Sequence, residues 1–271
     1  MDVARAADRR RADVVRQTVV VAATVFMIVA AMAGTGLLGG TPVQELQGGA
    51  LDVDASYLAP ARPAFSIWTA IYAGLVAYAV WQALPSQRAV ARQRALGWWI
   101  AASEALNGLW LLAAQYTTLL TTVVTIFALT AVLGVAFRRA VATEGRGLAS
   151  LLLIDGVTGL HLGWVALAAV ANTAAWLTQT APVSWEGAAS VVGVGVVVLV
   201  AVAGIGVALG WQGRGRLAPA IALAWGLGWL AVGRLADAPQ DAAIGVAAVV
   251  VAAVVVVAAA SRKVSQRPRR G

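Results

Sequence analysis

The chain has 271 residues, of which 61% are hydrophobic and only 12% charged, and it contains no cysteine. Long apolar runs from end to end indicate a protein that crosses a membrane several times, which excludes an ordinary soluble domain. Without cysteine, the chain cannot form disulfides, thiolate metal sites or a cysteine nucleophile.

Eight apolar runs follow a polar N-terminal segment at 1–16, and each is close to the ~20 residues that a helix needs to cross the hydrocarbon core. The runs cover residues 17–38, 64–84, 95–115, 117–138, 148–176, 187–210, 217–235 and 242–260. The sequence therefore predicts an all-α fold, a polytopic membrane helix bundle with eight transmembrane helices. The first run partly fits a signal peptide, but it is long for one, and we interpret it as a retained helix.

The basic residues predict the orientation of these helices. If the N-terminus is cytoplasmic, eighteen of the twenty Lys and Arg residues lie on the cytoplasmic side, and only Arg62 and Arg234 lie outside. This asymmetry follows the positive-inside rule and predicts an inner (plasma) membrane protein with both termini in the cytoplasm. It also explains the net charge of +8 without nucleic acid, since the lipid bilayer and its anionic headgroups are the expected partners of the arginine clusters.

The longest predicted outer segment, 39–63, leads into the second run, and its length suits a lid. The second run begins within PARPAFSIWTAIYAGLVAYAVWQ at 60–82, where Phe65, Trp68 and Tyr72 fall on one helix face. Prolines at the start of this stretch stiffen the entry to the helix. The aromatic face could roof a pocket for a flat apolar ligand, or it could be a helix-packing interface.

Polar residues recur inside the third and fifth runs, where they are costly and usually face protein or a cavity. They are Glu104 and Asn107 in the third run, and Asp155, Thr158, His161 and Asn172 in the fifth. Counted from the outer helix ends at ~1.5 Å per residue, five of the aromatic and amide residues lie within roughly 6–18 Å of the outer boundary. These five are Trp68, Tyr72, Asn107, Trp110 and Trp164. Three helices thus contribute to one layer beneath the 39–63 loop, as expected for a pocket.

Each candidate has a structural alternative. Asn107 and Asn172 could form hydrogen bonds between helices instead of contacting a ligand. His161, the only histidine, is more typical of a satisfied core residue than of a metal ligand. Glu104 at mid-membrane is expected to be protonated or paired. Asp155 points ~120° away from His161, so the two do not form a catalytic pair, and the sequence offers no other catalytic constellation.

The tryptophans divide into two sets by depth. Six lie near predicted boundaries and are typical of an interfacial belt: Trp81, Trp98, Trp99, Trp176, Trp185 and Trp211. Five lie in the interior: Trp68, Trp110, Trp164, Trp225 and Trp229. A ligand bound inside the bundle should therefore affect interior tryptophans more than those of the belt.

Three motifs occur in order on the second, third and fifth runs. Pro63, Phe65, Trp68, Thr69 and Tyr72 match a helix pattern close to P-x-x-F/V-x-x-W-T-x-L-Y. The sequence SEALNGLW at 103–110 corresponds to Q-L-A-L-N-x-x-W, and LHLGW at 160–164, followed by Asn172, corresponds to P-Y-L-x-W and a later Asn. On these residues the chain resembles the tryptophan-rich sensory protein (TspO/MBR) family, also known as translocator protein or peripheral benzodiazepine receptor.

The resemblance covers about 17–178 and implies a five-helix translocator-protein-like core. It also implies binding of porphyrin, haem or another flat hydrophobic molecule, with roles in tetrapyrrole handling, stress signalling or transport, and no required cofactor. The implied ligand-binding residues are Phe65, Trp68, Tyr72, Glu104, Asn107, Trp110, His161, Trp164 and Asn172. Two departures, Ser103-Glu104 for Gln-Leu and Leu160-His161 for Pro-Tyr, fall at or beside the family's cavity, so the resemblance does not fix the identity of the ligand.

Residues 179–260 predict three further membrane helices that the five-helix family lacks, followed by a basic cytoplasmic tail at 261–271. The leading hypothesis is a non-enzymatic membrane protein that binds a planar hydrophobic ligand, such as a tetrapyrrole, in an outer-leaflet pocket. One alternative is a proton-coupled transporter that uses Glu104 and Asp155, and another is a membrane scaffold without a ligand. A homodimer is left open.

Overall fold

The computed structural model describes residues 2–39, 41–143, 145–180 and 188–265, and within these ranges it contains helices and no β-strand. The long helices are α1 (Asp2–Gly34), α2 (Ile67–Ala83), α3 (Ala91–Tyr116), α4 (Leu119–Ala142), α5 (Gly147–Thr180), α6 (Ala188–Gln212), α7 (Ala218–Ala236) and α8 (Ala242–Ser265). Shorter 3₁₀ segments cover Val43–Gly49, Arg62–Ser66 and Pro85–Gln87. The predicted all-α fold is confirmed. Trp185 and residue 187, where the sixth run was predicted to begin, fall outside the described ranges.

Among the described residues, seven helices are long and apolar enough to cross a membrane. The exception among the long helices is α3, which has the length but carries Glu104 and Asn107 within its apolar sequence. Both side chains are buried, so the polar groups of α3 face protein rather than lipid. A multi-pass membrane protein is therefore confirmed, whereas the eighth crossing, by α3, stays a prediction.

Helix α1 begins earlier than the predicted run at 17–38, because the polar N-terminal segment continues the helix back to Asp2. Contacts with the start of α3 support this extra length. Arg94 Nε donates to Asp13 at 2.8 Å, and the buried Arg16 donates to the carbonyl of Arg88 at 2.9 Å. Helical hydrogen bonding and these pairs together hold the polar end of α1 against the bundle.

The first five helices form a closed ring in which α1 packs on α2 and α3, α3 on α4, α4 on α5, and α5 on α2. Apolar side chains from all five fill the interior, among them Met27, Ile71, Leu96, Leu133 and Val165. The ring is built from helices between Asp2 and Thr180, whereas a translocator-protein-like core at 17–178 as a separate domain stays a prediction. Its loops place residues 41–61 at one end, named here the roof end, and the N-terminus of α1 at the other, named the termini end.

The remaining helices lie against one side of this ring. Helix α7 packs along α5, α8 packs along α7, and α6 packs mainly on α8. Small residues allow α5 and α7 to approach closely, since a Cβ on Gly163 would lie 2.2 Å from the carbonyl oxygen of Pro219. Helix α7 is therefore the element that joins the α6–α8 extension to the five-helix ring.

A buried carboxylate holds the termini end together. Asp155, in a π-helical segment of α5 (Leu151–Gly156), accepts hydrogen bonds from Arg92 at 2.6 Å and from Arg216 at 2.8 Å. Both guanidinium groups also donate to the carbonyl of Ala140, each at 3.1 Å. Helices α3, α4 and α5 are thus tied to the α6–α7 connection. The carboxylate of Asp155 is engaged by two arginines, and Asp155 does not line the cavity described below.

Candidate functional site

The aromatic face of α2 packs against α5 at the roof end. Trp68 stacks on Tyr72 with ring centroids 5.0 Å apart, and it meets Trp164 of α5 edge to face at 6.2 Å. Phe65, in the turn before α2, meets the same indole edge to face at 5.6 Å. These geometries are favourable for aromatic pairs and give each ring a fixed orientation. The aromatic face is therefore a helix-packing interface.

The same aromatic rings also line a cavity. It has a volume of about 70 Å³ and lies between α2, α3, α4 and α5 beneath residues 41–61, the roof loop. Six of the nine predicted ligand-binding residues are on its wall: Phe65, Trp68, Asn107, Trp110, Trp164 and Asn172. The aromatic face therefore packs against α5 and also lines the cavity, so the two alternatives coexist.

Three predicted residues lie outside the cavity wall. Tyr72 lies behind it and donates its hydroxyl hydrogen to Oδ1 of Asn107 at 3.0 Å. His161 is fully buried, with its ring edge to face against Trp68 at 5.8 Å. Glu104 lies between α3 and α1, where one carboxylate oxygen accepts from the hydroxyl of Thr24 at 3.0 Å. The structure therefore pairs Glu104, as expected, but does not bring it to the cavity.

The two asparagines join helices to each other. Asn107 links α3 to α2 through the hydroxyl of Tyr72, as described above. Asn172 of α5 accepts from Nε1 of Trp110 of α3 at 3.1 Å and donates to the carbonyl of Ala168 at 2.9 Å. Each asparagine therefore joins two helices by a hydrogen bond and also lies on the cavity wall.

Some buried polar atoms of this region have no hydrogen-bond partner within the described residues. They include Nε1 of Trp164, on the cavity wall, and both ring nitrogens of His161. A buried donor without a partner costs about 1–3 kcal/mol, so such atoms are uncommon in stable cores. His161 is a core residue, as expected, but its ring nitrogens lack the hydrogen-bond partners that a satisfied core histidine would have among the described residues. Trp164 thus lines the cavity with its ring, while its indole N–H is buried and has no acceptor among the described residues.

The roof loop is hydrogen-bonded to the ends of α3 and α5. Gln47 donates to the carbonyls of Thr117 at 2.6 Å and Ala114 at 3.2 Å, and Gln179 donates to the carbonyl of Gln47 at 3.1 Å. Several roof-loop residues line the cavity, among them Val43, Leu51, Val53 and Ser56. The sequence contains no pattern that would identify these wall residues, because they contribute through loop geometry rather than helical spacing.

The size of the cavity limits what it holds in this conformation. Small-molecule sites usually have volumes of about 300–1,000 Å³, and one water occupies about 30 Å³ of liquid. A cavity of about 70 Å³ therefore accommodates water or a small group, not a planar molecule of the size of a porphyrin. A larger ligand requires the roof loop or a wall tryptophan to move.

Comparison with known proteins identifies the family. The model of the TSPO-like protein family matches residues 16–261. The match includes α6, α7 and α8, beyond the 17–178 over which the motifs suggested a resemblance. No curated protein and no solved structure matches the chain. Since the family model covers most of the sequence and the chain is a helical, multi-pass membrane protein, it belongs to the TSPO-like protein family.

Proposed function

We propose that this protein binds a planar hydrophobic ligand, of the porphyrin or haem type, in the cavity beneath the roof loop. The observation that carries the proposal is the cavity wall, where six residues predicted from sequence come together from α2, α3, α5 and the turn before α2. Aromatic side chains with a few convergent polar groups are typical of small-molecule sites. The ligand would enter from the outer leaflet when the roof loop moves.

The polar groups of the wall narrow the chemistry of the ligand. The N–H of Trp164 has no partner among the described residues, so a ligand that moves this ring on entry and presents a carbonyl or carboxylate oxygen would remove the cost of a buried free donor. His161, the only histidine of the chain, lies behind Trp68 and not on the wall. Recognition would therefore act through the ring and its substituents, by stacking and hydrogen bonding, rather than through an axial histidine.

Proton-coupled transport through Glu104 and Asp155 is the alternative function. The contacts of these two carboxylates support it less than the cavity wall supports ligand binding. Asp155 is held by Arg92 and Arg216, and Glu104 is bonded to Thr24. Neither lies on the wall of the cavity beneath the roof loop. Substrate uptake into proteoliposomes driven by a pH gradient, and lost on replacement of Asp155, would support transport instead.

Equilibrium binding of protoporphyrin IX to the purified protein tests the proposal. Saturable quenching of tryptophan emission at micromolar porphyrin is expected. Trp164→Phe keeps an aromatic ring but removes the N–H, and it should weaken binding about 5-fold or more, the equivalent of one hydrogen bond of about 1 kcal/mol. Trp211→Phe is the matched control, because Trp211 is 58% exposed at the end of α6, and it should leave the affinity unchanged. Equal losses in both variants, or none in either, would contradict a specific site at Trp164.

A further inference from the structure

The roof loop is also held by α7, a helix outside the five-helix ring. Arg234, near the end of α7, is 1% exposed and donates to the carbonyls of Ser56 at 3.0 Å and Val53 at 3.2 Å. Both of these roof-loop residues line the cavity. The extension therefore makes direct hydrogen bonds to the backbone that closes the candidate ligand site.

Two further hydrogen bonds join α7 to the chain just after these residues. The N–H of Ala61 donates to the carbonyl of Trp229 at 3.1 Å, and Nε1 of Trp225 donates to the carbonyl of Ala64 at 2.9 Å. Gly233 lies against the same segment, since an ideal Cβ built on it would be 3.6 Å from Cβ of Ala61. One face of α7 thus contacts the chain continuously from the roof loop to the turn before α2.

Arg234 is a buried charge in a membrane protein, and burial of a charged side chain there costs free energy and usually accompanies a function. Arg234 is one of only two basic residues on the predicted outer side, and its partners are backbone carbonyls of the loop and of Ala238. Hydrogen bonds to carbonyls are weaker than a buried arginine–carboxylate pair. The contact is therefore one that can break and re-form without separating opposite charges.

We propose that α7 is a latch for the roof loop and that Arg234, as a positioning residue, sets the rates at which ligand enters and leaves. This inference rests on the proposed function, because the cavity of about 70 Å³ must open to admit a porphyrin. Raising residues 53–61 breaks the bonds to Arg234 and Trp229. The α6–α8 extension thereby controls access to a site to whose wall the described side chains of its helices do not contribute.

A reversible disulfide tests the latch directly. The chain has no cysteine, and the 3.6 Å between Cβ positions at 61 and 233 lies within the range of about 3.5–4.5 Å that disulfides require. In the double variant Ala61→Cys/Gly233→Cys, oxidation should slow the association of protoporphyrin IX at least 10-fold, and reduction should restore it. An association rate unaffected by oxidation, with the cross-link verified by mass spectrometry, would overturn the proposal.

The matched control places a cross-link within the extension, away from the roof loop. Gly210 of α6 faces Ala259 of α8, with 3.2 Å between an ideal Cβ on the glycine and the alanine Cβ. This distance is shorter than the disulfide range, so the two helices must separate by a few tenths of an ångström, and mass spectrometry verifies that the cross-link forms. Oxidised Gly210→Cys/Ala259→Cys should leave the association rate within 2-fold of its reduced form. Equal slowing by both cross-links would show a general effect of rigid helices and would also overturn the latch.

A measurement without ligand separates the latch from the proposed function. Ser56 is 5% exposed, so a single cysteine there should react slowly with a soluble maleimide. Arg234→Gln should speed this labelling at least 5-fold, and Arg234→Lys should restore part of the protection. Trp225→Phe, at a 40% exposed position, is a milder variant that removes only the bond to Ala64 and should speed labelling 2-fold or more. If labelling is faster but the protein does not bind porphyrin, the latch is supported and the proposed ligand is rejected. If labelling is unchanged in these variants, the latch is rejected.

Discussion

Buried arginines occur at both ends of the bundle, and they are used differently. At the termini end, Arg92 and Arg216 donate to the carboxylate of Asp155. At the roof end, Arg234 donates only to backbone carbonyls. Breaking a buried ion pair strands charged groups and is strongly destabilising. Arg234 has carbonyl acceptors instead, so raising the roof loop separates no ion pair and would let water replace the carbonyls as acceptors of the guanidinium. The comparison indicates a fixed termini end and a roof end that can open.

The comparison requires that the two ends lie on opposite sides of the membrane. Glu45 of the roof loop and Gln212 at the end of α6 are both exposed, and single cysteines there should label from opposite sides of intact cells. An impermeant maleimide should modify the cysteine at position 45 and leave position 212 unmodified until the membrane is opened. Labelling of both before opening would contradict the predicted topology.

The largest expected effect on stability is at the termini end. Asp155→Asn removes the charge shared by two arginines and should lower the free energy of unfolding by about 3–5 kcal/mol. Asp52→Asn is the control, since its partner Arg62 has a 69% exposed side chain, and it should cost less than about 1 kcal/mol. Thermal unfolding in detergent micelles compares the two, and similar losses would mean that the termini end is not the fixed one.

An intermediate effect is expected on ligand affinity at the roof end. Trp68→Ala removes a cavity-wall ring that also packs on Trp164, and it should weaken porphyrin binding by roughly 1–3 kcal/mol. Trp98→Ala, at a 47% exposed position near the start of α3, is the comparison for non-specific adsorption. Titration of both variants with porphyrin should distinguish binding in the cavity from non-specific adsorption to an apolar surface. A similar loss for Trp98→Ala would count against the cavity as the binding site.

The smallest effect is expected at Glu104, between the two ends. Glu104→Gln keeps an oxygen that accepts from Thr24, so the protein should fold with a stability within about 1 kcal/mol of the parent. Porphyrin affinity should not change, because Glu104 is absent from the cavity wall. Thermal unfolding and the binding titration check both expectations. Abolished binding in a folded variant would instead require a charged carboxylate and would favour the transport hypothesis.

Helical spacing and depth were sufficient to predict which residues of α2, α3 and α5 share one layer. Trp68, Trp110 and Trp164 follow from the 3.6-residue period and from distance to the helix ends. The same reasoning could not place His161 behind Trp68, because that depends on how far each helix is rotated within the ring. It also treated Asp155 as a candidate proton carrier, since nothing local reveals its pairing with Arg216 from a distant loop.

The roof end shows a second limit of reasoning from sequence. Charge counting places Arg234 on the predicted outer side, as an exception among the basic residues, but it gives no partner for it. Its acceptors are carbonyls of Ser56 and Val53, about 180 residues away in the chain, and every residue type has a backbone carbonyl. The size of the cavity depends on the same loop backbone. Contacts of this kind therefore leave no residue pattern that could have been recognised.

The closed cavity has a consequence for how binding constants of this protein should be interpreted. If only a fraction of molecules has the roof loop raised, the apparent dissociation constant exceeds that of the open form by the inverse of that fraction, so about 1% open molecules would weaken the apparent affinity about 100-fold. Substitutions in α7 would then change affinity without touching the ligand. A thermodynamic comparison among variants thus measures the population of the open form as well as the contacts made in it.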